Sequence, residues 1–418
     1  MAPKGKLLLR LSRDKISVES ARGDHSESLD EQSLGHLTIQ RFEAWAREIE
    51  PRLRDQADYE LLGRHLYEFL FRGKIERALD DEYSRADETK TVLRLELFVD
   101  PSAGTLAAVP WEFLYFQPPD KKRGFFMATS SGLALIRTDS STRDPSSVRL
   151  TERPRILVIA SCPPGFDYVV SRPVAEGIAT QLAARVPGAE LRTVFDPPDL
   201  DAVKAALAWR PHIVQFIGHG QQPGTEGQLA MLHSAAPWVT GRELLDQLPD
   251  DARPRLVVLH ACYGAAIAAS TLAPKLGFGA IAPMLLADDI PAVIAMQYGI
   301  DQQSAIDFTA KLYSDLLDGL AIHRAVQSAR ALLTRPQAIP SGAPEGTTPL
   351  PRPARAFGTP VLYMSGTDGV LFPRAEGALD TRNQIEREPS AEHAGDASVK
   401  PVTAPFTTAG PGTAGAGA

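Results

Sequence analysis

The sequence is organised around two short stretches, IVQFIGHG at residues 213–220 and LVVLHACYG at residues 256–264. Each opens with β-branched and aliphatic residues, which is typical of a strand buried on both faces of a parallel sheet. Each then ends in a turn of small residues that carries one reactive side chain, His219 in the first and Cys262 in the second. Reactive groups of open α/β sheets lie just beyond the carboxyl ends of the strands. The two stretches therefore predict that a histidine and a thiol meet at one sheet edge.

Length and composition limit the class of protein. The 418 residues are typical of roughly two to three domains, and 44% apolar residues are enough for a large core. The chain has 44 Lys and Arg against 51 Asp and Glu and no basic block, so nucleic acid is not expected as the main partner. Two cysteines exclude a disulfide framework and predict a reducing compartment, and no apolar run approaches a signal peptide or a membrane span. We therefore expect a cytoplasmic protein without a membrane contact.

The hydrophobic pattern alternates between strands and helices from Arg155 onward. Strands are predicted at residues 156–160, 191–195, 292–296 and 359–364, besides the two stretches quoted above, with helices between them. This alternation favours an α/β fold, a doubly wound and mostly parallel sheet with flanking helices. Residues 151–375 are accordingly predicted to form one domain.

The first 150 residues predict a smaller α/β subdomain. Strands are expected at residues 6–12, 93–99 and 132–137, a loop at residues 19–36, and helices between residues 38 and 80. Glu112 lies among aromatic residues, and such a carboxylate is usually a packing node that caps backbone amides.

The end of the chain has a different composition. Residues 376–418 end in Pro, Gly, Ala and Thr and have almost nothing apolar to bury. We therefore predict a disordered tail.

Together these motifs resemble the CHAT-domain branch of the caspase-like cysteine peptidases. The resemblance rests on the strands ending in His-Gly and Ala-Cys-Tyr-Gly, and on three further motifs in order: PWEFLY at 110–115, PAVIAMQY at 291–298 and GTPVLY at 358–363. It spans roughly residues 6–365. It implies a caspase-like sheet, a degenerate N-terminal subdomain at residues 1–150, a His219–Cys262 dyad, and endopeptidase activity on a protein substrate. By resemblance this activity often belongs to bacterial defence or cell death, and it requires no cofactor.

The residues themselves are consistent with thiol chemistry. An imidazole such as His219 can deprotonate a thiol such as Cys262 and later donate the proton to the leaving amine. The backbone N–H groups of Gly220 and Cys262 are the natural donors for the oxyanion.

Three residues are candidates for a substrate pocket, namely His260, Gln297 and Asp301. Strand alternation gives His260 the same direction as Cys262, and an imidazole offers no fixed negative charge to Lys or Arg. We therefore predict that His260 confers no preference for basic residues. Asp301 is expected to cap a helix, and as the alternative it could supply an acidic pocket wall.

Several alternatives remain open at this point. Cys162 follows a strand in the same manner as Cys262 but has no His-Gly partner. His219, His260 and Cys262 could instead ligate zinc, although no Cys-x-x-Cys is present. The chain could also be a catalytically idle CHAT scaffold that acts by binding other proteins. If it is an enzyme, we expect activity as a single chain, gated by an activating protein partner or by the loop at residues 335–355.

Overall fold

A computed structural model of the chain describes most of residues 5–373. The described ranges are 5–12, 14–28, 53–100, 103, 106–107, 109–118, 123–139, 148–166, 171–185, 188–221, 227–263, 281–338, 348–366 and 369–373. The predicted tail at residues 376–418 and the first part of the predicted helices, residues 38–52, lie outside these ranges. Residues 1–374 cluster as one unit, and the division near residue 150 stays a prediction.

The elements follow the predicted alternation. The strands are β1 Lys6–Leu11, β2 Lys15–Ser20, β3 Gly23–Ser28, β4 Leu93–Val99, β5 Tyr115–Phe116, β6 Phe125–Phe126, β7 Leu133–Arg137, β8 Arg155–Ala160, β9 Glu190–Phe195, β10 Ile213–Gln221, β11 Gln228–Ala230, β12 Trp238–Thr240, β13 Leu256–Tyr263, β14 Ala292–Met296 and β15 Pro360–Met364. The helices are α1 Gln56–Leu70, α2 Gly73–Glu88, α3 Ser171–Arg185, α4 Leu200–Leu207, α5 Gly241–Leu245, α6 Ile281–Ala287, α7 Gln302–Leu317 and α8 Ile322–Leu333. Among the described residues, no helix is both long enough and apolar enough to cross a bilayer.

One 13-stranded sheet runs through the chain. Its order is β12-β11-β10-β13-β14-β15-β7-β4-β1-β2-β3, and β8 pairs with both β10 and β9. The pairs are parallel except at the hairpins β1-β2-β3 and β10-β11-β12 and between β14 and β15. The predicted α/β class, a mostly parallel sheet with flanking helices, is confirmed. The parallel pair of Arg137 on β7 with Tyr363 on β15 joins the first and second halves of the chain in the same sheet.

Helices cover both faces of the sheet because its strands are apolar on both sides. One core cluster contains residues of α1, α3, α7 and α8, together with Ile213 and Ile217 of β10. The second core cluster contains residues of α4, α5 and α6, together with Val214 and Phe216 of β10. Alternate residues of β10 thus enter opposite clusters, as the period of two in a strand requires.

Buried side chains of helix α8 donate hydrogen bonds to carbonyl groups in both halves of the chain. The Gln327 amide donates to the carbonyl groups of Met127 at 2.6 Å and Leu133 at 2.5 Å. The Arg330 guanidinium donates to the Pro360 carbonyl at 2.7 Å, and burial lowers its pKa to about 10. Buried polar groups rarely persist without such partners, so these bonds fix the helix against β7 and β15.

The predicted loop at residues 19–36 is wrong in its first part. Residues 15–20 and 23–28 form the β2-β3 hairpin at the end of the sheet, in antiparallel register from Lys15↔Ser28 to Ser20↔Gly23. Strand β3 is polar because it is the last strand and exposes alternate residues, which hides the apolar signal of a strand, whereas β2 buries Ile16 and Val18. Residues 29–36 lie outside the described ranges.

Candidate active site

His219 and Cys262 occupy paired positions on adjacent parallel strands. The register of β10 and β13 runs from Ile213↔Leu256 to Gly220↔Tyr263 and pairs His219 with Cys262. Neighbouring strands lie about 4.8 Å apart, so the two backbones are in contact near the carboxyl ends of their strands. The structure thus brings together the two residues that the sequence singles out.

The two positions also share a face of the sheet. Ile217 and Val258 enter the core cluster below α7, and His219 has the same parity as Ile217 along β10. Cys262 has the same parity as Val258 and His260 along β13. Residues two apart on a strand lie on one face, so both positions belong to the face that α7 covers.

Gly218 lets the backbone just before His219 lie close to the Phe216 ring and the Ser161 carbonyl group. A Cβ atom at this position would lie 2.6 Å from Cζ of Phe216 and 3.0 Å from the Ser161 carbonyl oxygen. A side chain would therefore push apart β10 and the segment that follows β8. The glycine of the Gly-His-Gly motif is required by packing as well as by any chemistry.

The His219 side chain is 4% exposed and lies against an aromatic ring. The centroid of Phe166 is 5.1 Å from that of His219, and the centroid of Trp238 is 5.4 Å from that of Phe166, at an interplanar angle of 69°. The sequence does not single out either aromatic residue, because both lie in turn-rich segments with no periodic pattern. The available signal was their position in the chain. Phe166 comes shortly after β8, which pairs with β10, and Trp238 lies in the hairpin that follows β10.

His260 is buried below α7. It is 2% exposed, and its Nδ1 atom lies 3.3 Å from Oγ1 of Thr309. Burial lowers the pKa of His260 to about 4, so the imidazole is neutral at pH 7. Among the described residues, its Nε2 atom has no hydrogen-bond partner. His260 therefore lies enclosed between β13 and α7, two residues before Cys262. Its role in substrate binding stays a prediction.

Gln297 and Asp301 follow β14 at the same edge of the sheet, and both make bonds that hold the structure. The Gln297 amide donates to Glu112 Oε2 at 2.9 Å and to the Gly358 carbonyl at 2.6 Å. Asp301 caps α7, because its Oδ1 accepts from the Ser304 N–H at 2.9 Å. The predicted helix cap is thus present, and the pocket role of either residue stays a prediction.

Glu112 forms a buried ion pair rather than the predicted cap of backbone amides. It is 1% exposed, and the Arg137 guanidinium donates to both its oxygens, at 3.0 Å and 2.6 Å. Burial acts to lower the pKa of Arg137, but the charge of Glu112, the hydrogen bonds to it and the nearby Tyr363 and Tyr298 together outweigh burial and raise that pKa above its usual value. Arg137 also donates to the Ala107 and Val109 carbonyls, at 2.8 Å and 3.1 Å. Through Gln297, this pair connects the first half of the chain to the edge that carries His219.

Cys162 does not continue the paired row of His219 and Cys262. Pairing between β8 and β10 ends at Ala160↔Ile217, and β11 takes the place beside His219, at Ala230. The Cys162 N–H instead donates to Oδ1 of Asp196 at 2.8 Å. Within the part of the chain that the structure describes, no group of three or more His, Cys, Asp and Glu residues could hold a metal ion.

Comparison with known proteins gives one family match and several distant structures. A model of the CHAT domain matches residues 60–366. No curated protein sequence matches the chain. Two solved structures with 12% identity are the Arg-specific cysteine proteinase gingipain R (TM-score 0.44, covering 74% of this chain and 70% of that one) and the complex of Porphyromonas gingivalis RgpB pro- and mature domains (TM-score 0.42, 74% and 72%). The Saccharomyces cerevisiae separase–securin complex matches with 14% identity and a TM-score of 0.37, over 66% of this chain and 16% of that one.

Proposed function

The chain belongs to the CHAT-domain family, and we propose that it is a cysteine endopeptidase that cleaves a protein through His219 and Cys262. The observation that carries this proposal is the register of β10 and β13, which pairs His219 with Cys262 at the carboxyl ends of adjacent parallel strands. Ligands of open α/β sheets bind at this edge. A thiol and an imidazole together supply the nucleophile and the base that cleavage of an amide requires.

In the proposed acylation, His219 removes the proton of the Cys262 thiol as sulfur attacks the scissile carbonyl carbon. A carbon–sulfur bond forms, and the carbonyl electron pair moves to oxygen. When the intermediate collapses, the carbon–nitrogen bond breaks and its electron pair goes to nitrogen, which takes the proton from His219. The amine product leaves, and the acyl group remains on Cys262 as a thioester.

Deacylation uses the same two residues in the reverse sense. His219 removes a proton from water, whose oxygen bonds to the thioester carbon while the carbon–sulfur bond breaks. The sulfur recovers the proton, so the enzyme returns to its starting state. In both halves of the reaction, the N–H groups of Gly220 and Cys262 are the proposed donors to the oxyanion.

The charge state of His260 limits which substrate residues it can select. Because burial holds the imidazole neutral at pH 7, His260 supplies no charge that would select an acidic or a basic residue. The proposed substrate is therefore chosen by other contacts along the extended peptide. By family resemblance, the proposal includes a place in bacterial defence or cell death. It also includes activity as a single chain that is gated by an activating protein partner.

The proposal is tested by digesting a peptide library and identifying new termini by mass spectrometry. We expect cleavage by the wild type, a loss of at least about 1000-fold for Cys262→Ala and for His219→Ala, and near wild-type cleavage for Cys162→Ala. Cys162 is the matched control because it is the other cysteine of the chain and follows the strand that pairs with β10. Cleavage that survives in Cys262→Ala would exclude the dyad.

A further inference from the structure

Two aromatic residues near His219 are not used by the core. Phe166 and Trp238 are each partly exposed, and neither belongs to, nor packs against, the two core clusters of the described residues. Their rings contact each other at 5.4 Å, and Phe166 also contacts the ring of His219. Partly exposed aromatic residues beside a reactive group are characteristic of binding sites rather than of core packing.

The sheet places these rings on one definite side of His219. Cys262 is paired with His219 through β13, whereas Ala230 is paired with it through β11 on the other side. Ala230 is in turn paired with Trp238 on β12, so one row contains Cys262, His219, Ala230 and Trp238 in that order. Phe166 follows β8, which also lies on the side of β10 opposite to β13. The aromatic pair and the nucleophile therefore flank His219.

This arrangement relates the aromatic pair to one half of the substrate. In the proposed reaction, the scissile carbonyl carbon bonds to Cys262 and the leaving nitrogen takes its proton from His219. The peptide that continues from that nitrogen therefore extends past His219 and away from Cys262. Its first side chain is only two bonds from the nitrogen, which brings it within reach of a ring that touches the imidazole.

We infer that Phe166 and Trp238 form a subsite for a large apolar or aromatic side chain at the residue that follows the scissile bond. The inference rests on the proposed function, because it uses the direction of the peptide across His219 and Cys262. The occupant is apolar because the wall consists of two aromatic rings, with Pro163 and Pro237 as their near neighbours in the chain. Aromatic rings gain from offset or edge-to-face contact with another aromatic ring, which favours Phe, Tyr or Trp over small residues.

A substitution at Trp238 distinguishes an effect on the subsite from an effect on the position of His219. Phe166 touches the His219 ring, so replacing it would change both the subsite and the orientation of the imidazole. Among the ring contacts of the described residues, Trp238 contacts Phe166 and not His219. A change at Trp238 therefore acts on substrate preference more directly than a change at Phe166.

The test measures kcat/KM for two peptides that differ only in the residue after the scissile bond, one with Phe and one with Gly. The scissile bond is taken from the peptide library digest. In the wild type, kcat/KM should be about tenfold higher for the Phe peptide than for the Gly peptide. In Trp238→Ala this ratio should fall to near one, because the indole of Trp238 no longer buries the Phe side chain of the peptide. Trp238→Phe should retain most of the preference. Trp209→Ala is the matched control, since Trp209 lies in the turn after α4, where the Arg192 side chain of β9 lies over its ring.

Each outcome bears on the subsite separately from the dyad. A wild type that cleaves the Gly peptide as well as the Phe peptide would overturn the subsite, and so would a preference that persists in both Trp238→Ala and Phe166→Ala. The ratio is unaffected by any general loss of folded enzyme, because both peptides are cleaved by the same preparation. Labelling of wild-type Cys262 by a peptidyl chloromethyl ketone, which has no residue after the reactive carbon, reports on the proposed function alone. Labelling without a Phe preference would thus reject the subsite and keep the dyad.

Discussion

Acidification should destabilise the fold through the buried imidazole of His260. Burial lowers the pKa of this histidine to about 4 in the folded chain, whereas an unfolded histidine has a pKa of about 6.5. The unfolded chain therefore binds a proton at a higher pH than the folded chain does. Stability from this group is complete above pH 6.5 and is lost as the pH falls from 6.5 toward 4.

The two pKa values set the size of the effect. At pH 5 the unfolded histidine is almost fully protonated while the folded one is mostly neutral, which lowers the unfolding free energy by about 2 kcal/mol relative to pH 7. Below pH 4 the loss levels off at about 3 kcal/mol. His323, whose pKa burial lowers to about 3, adds a loss in the same direction.

Urea unfolding at pH 7 and pH 5 measures this contribution in wild type and in His260→Leu. The variant removes the titrating group, so its loss of unfolding free energy between the two pH values should be smaller by about 2 kcal/mol. The absolute stability of the variant does not enter, because each protein is compared with itself. His65→Gln is the control, since the His65 side chain is 47% exposed. An identical loss in wild type and His260→Leu would refute the burial of a neutral imidazole.

Two further changes test the contacts that connect the site to the rest of the chain. Glu112→Gln leaves the buried Arg137 charge uncompensated and should lower the unfolding free energy by about 3 kcal/mol in urea unfolding at pH 7. A loss below about 1 kcal/mol would mean that the pair is solvated. Asp301→Ala removes the cap of α7 and should cost about 1 kcal/mol, whereas Asp301→Asn should cost much less because asparagine caps equally well. Equal losses in the two Asp301 variants would show that the carboxylate acts by its charge and not as a cap.

Much of the second half of the fold could be predicted because its signals are local. Strands β8, β10, β13 and β14 are short apolar runs, and their alternation with helices predicts the parallel pairing that the structure has. β15 is also a short apolar run, but it pairs antiparallel with β14, which this alternation does not predict. The cap at Asp301 was predictable for the same reason, since Asp301 directly precedes helix α7. That His219 and Cys262 lie at the same edge of the sheet followed from the rule that reactive groups gather at carboxyl ends, whereas the direct pairing of β10 with β13 did not.

What the sequence concealed depends on contacts between distant segments. Arg137 is separated from Glu112 by 25 positions, and nothing local shows that this arginine is buried and compensates the carboxylate. The burial of His260 depends on Thr309 of α7, 49 positions away. Phe166 and Trp238 are brought near His219 by the pairings of β8 and β12. The hydrophobic pattern of the sequence does not predict these pairings. The hairpin β2-β3 was missed because an exposed last strand carries polar residues.

The most direct test of the His219–Cys262 dyad is the rate at which a peptidyl chloromethyl ketone alkylates each cysteine, measured by mass spectrometry. Cys262 and Cys162 are the two cysteines of the chain, so each preparation contains its own reference thiol. If His219 activates Cys262, the wild type should be labelled at Cys262 at least about 100-fold faster than at Cys162, and His219→Ala should lose that difference. Equal labelling of the two thiols in wild type, or fast labelling of Cys262 that survives in His219→Ala, would contradict activation of Cys262 by His219.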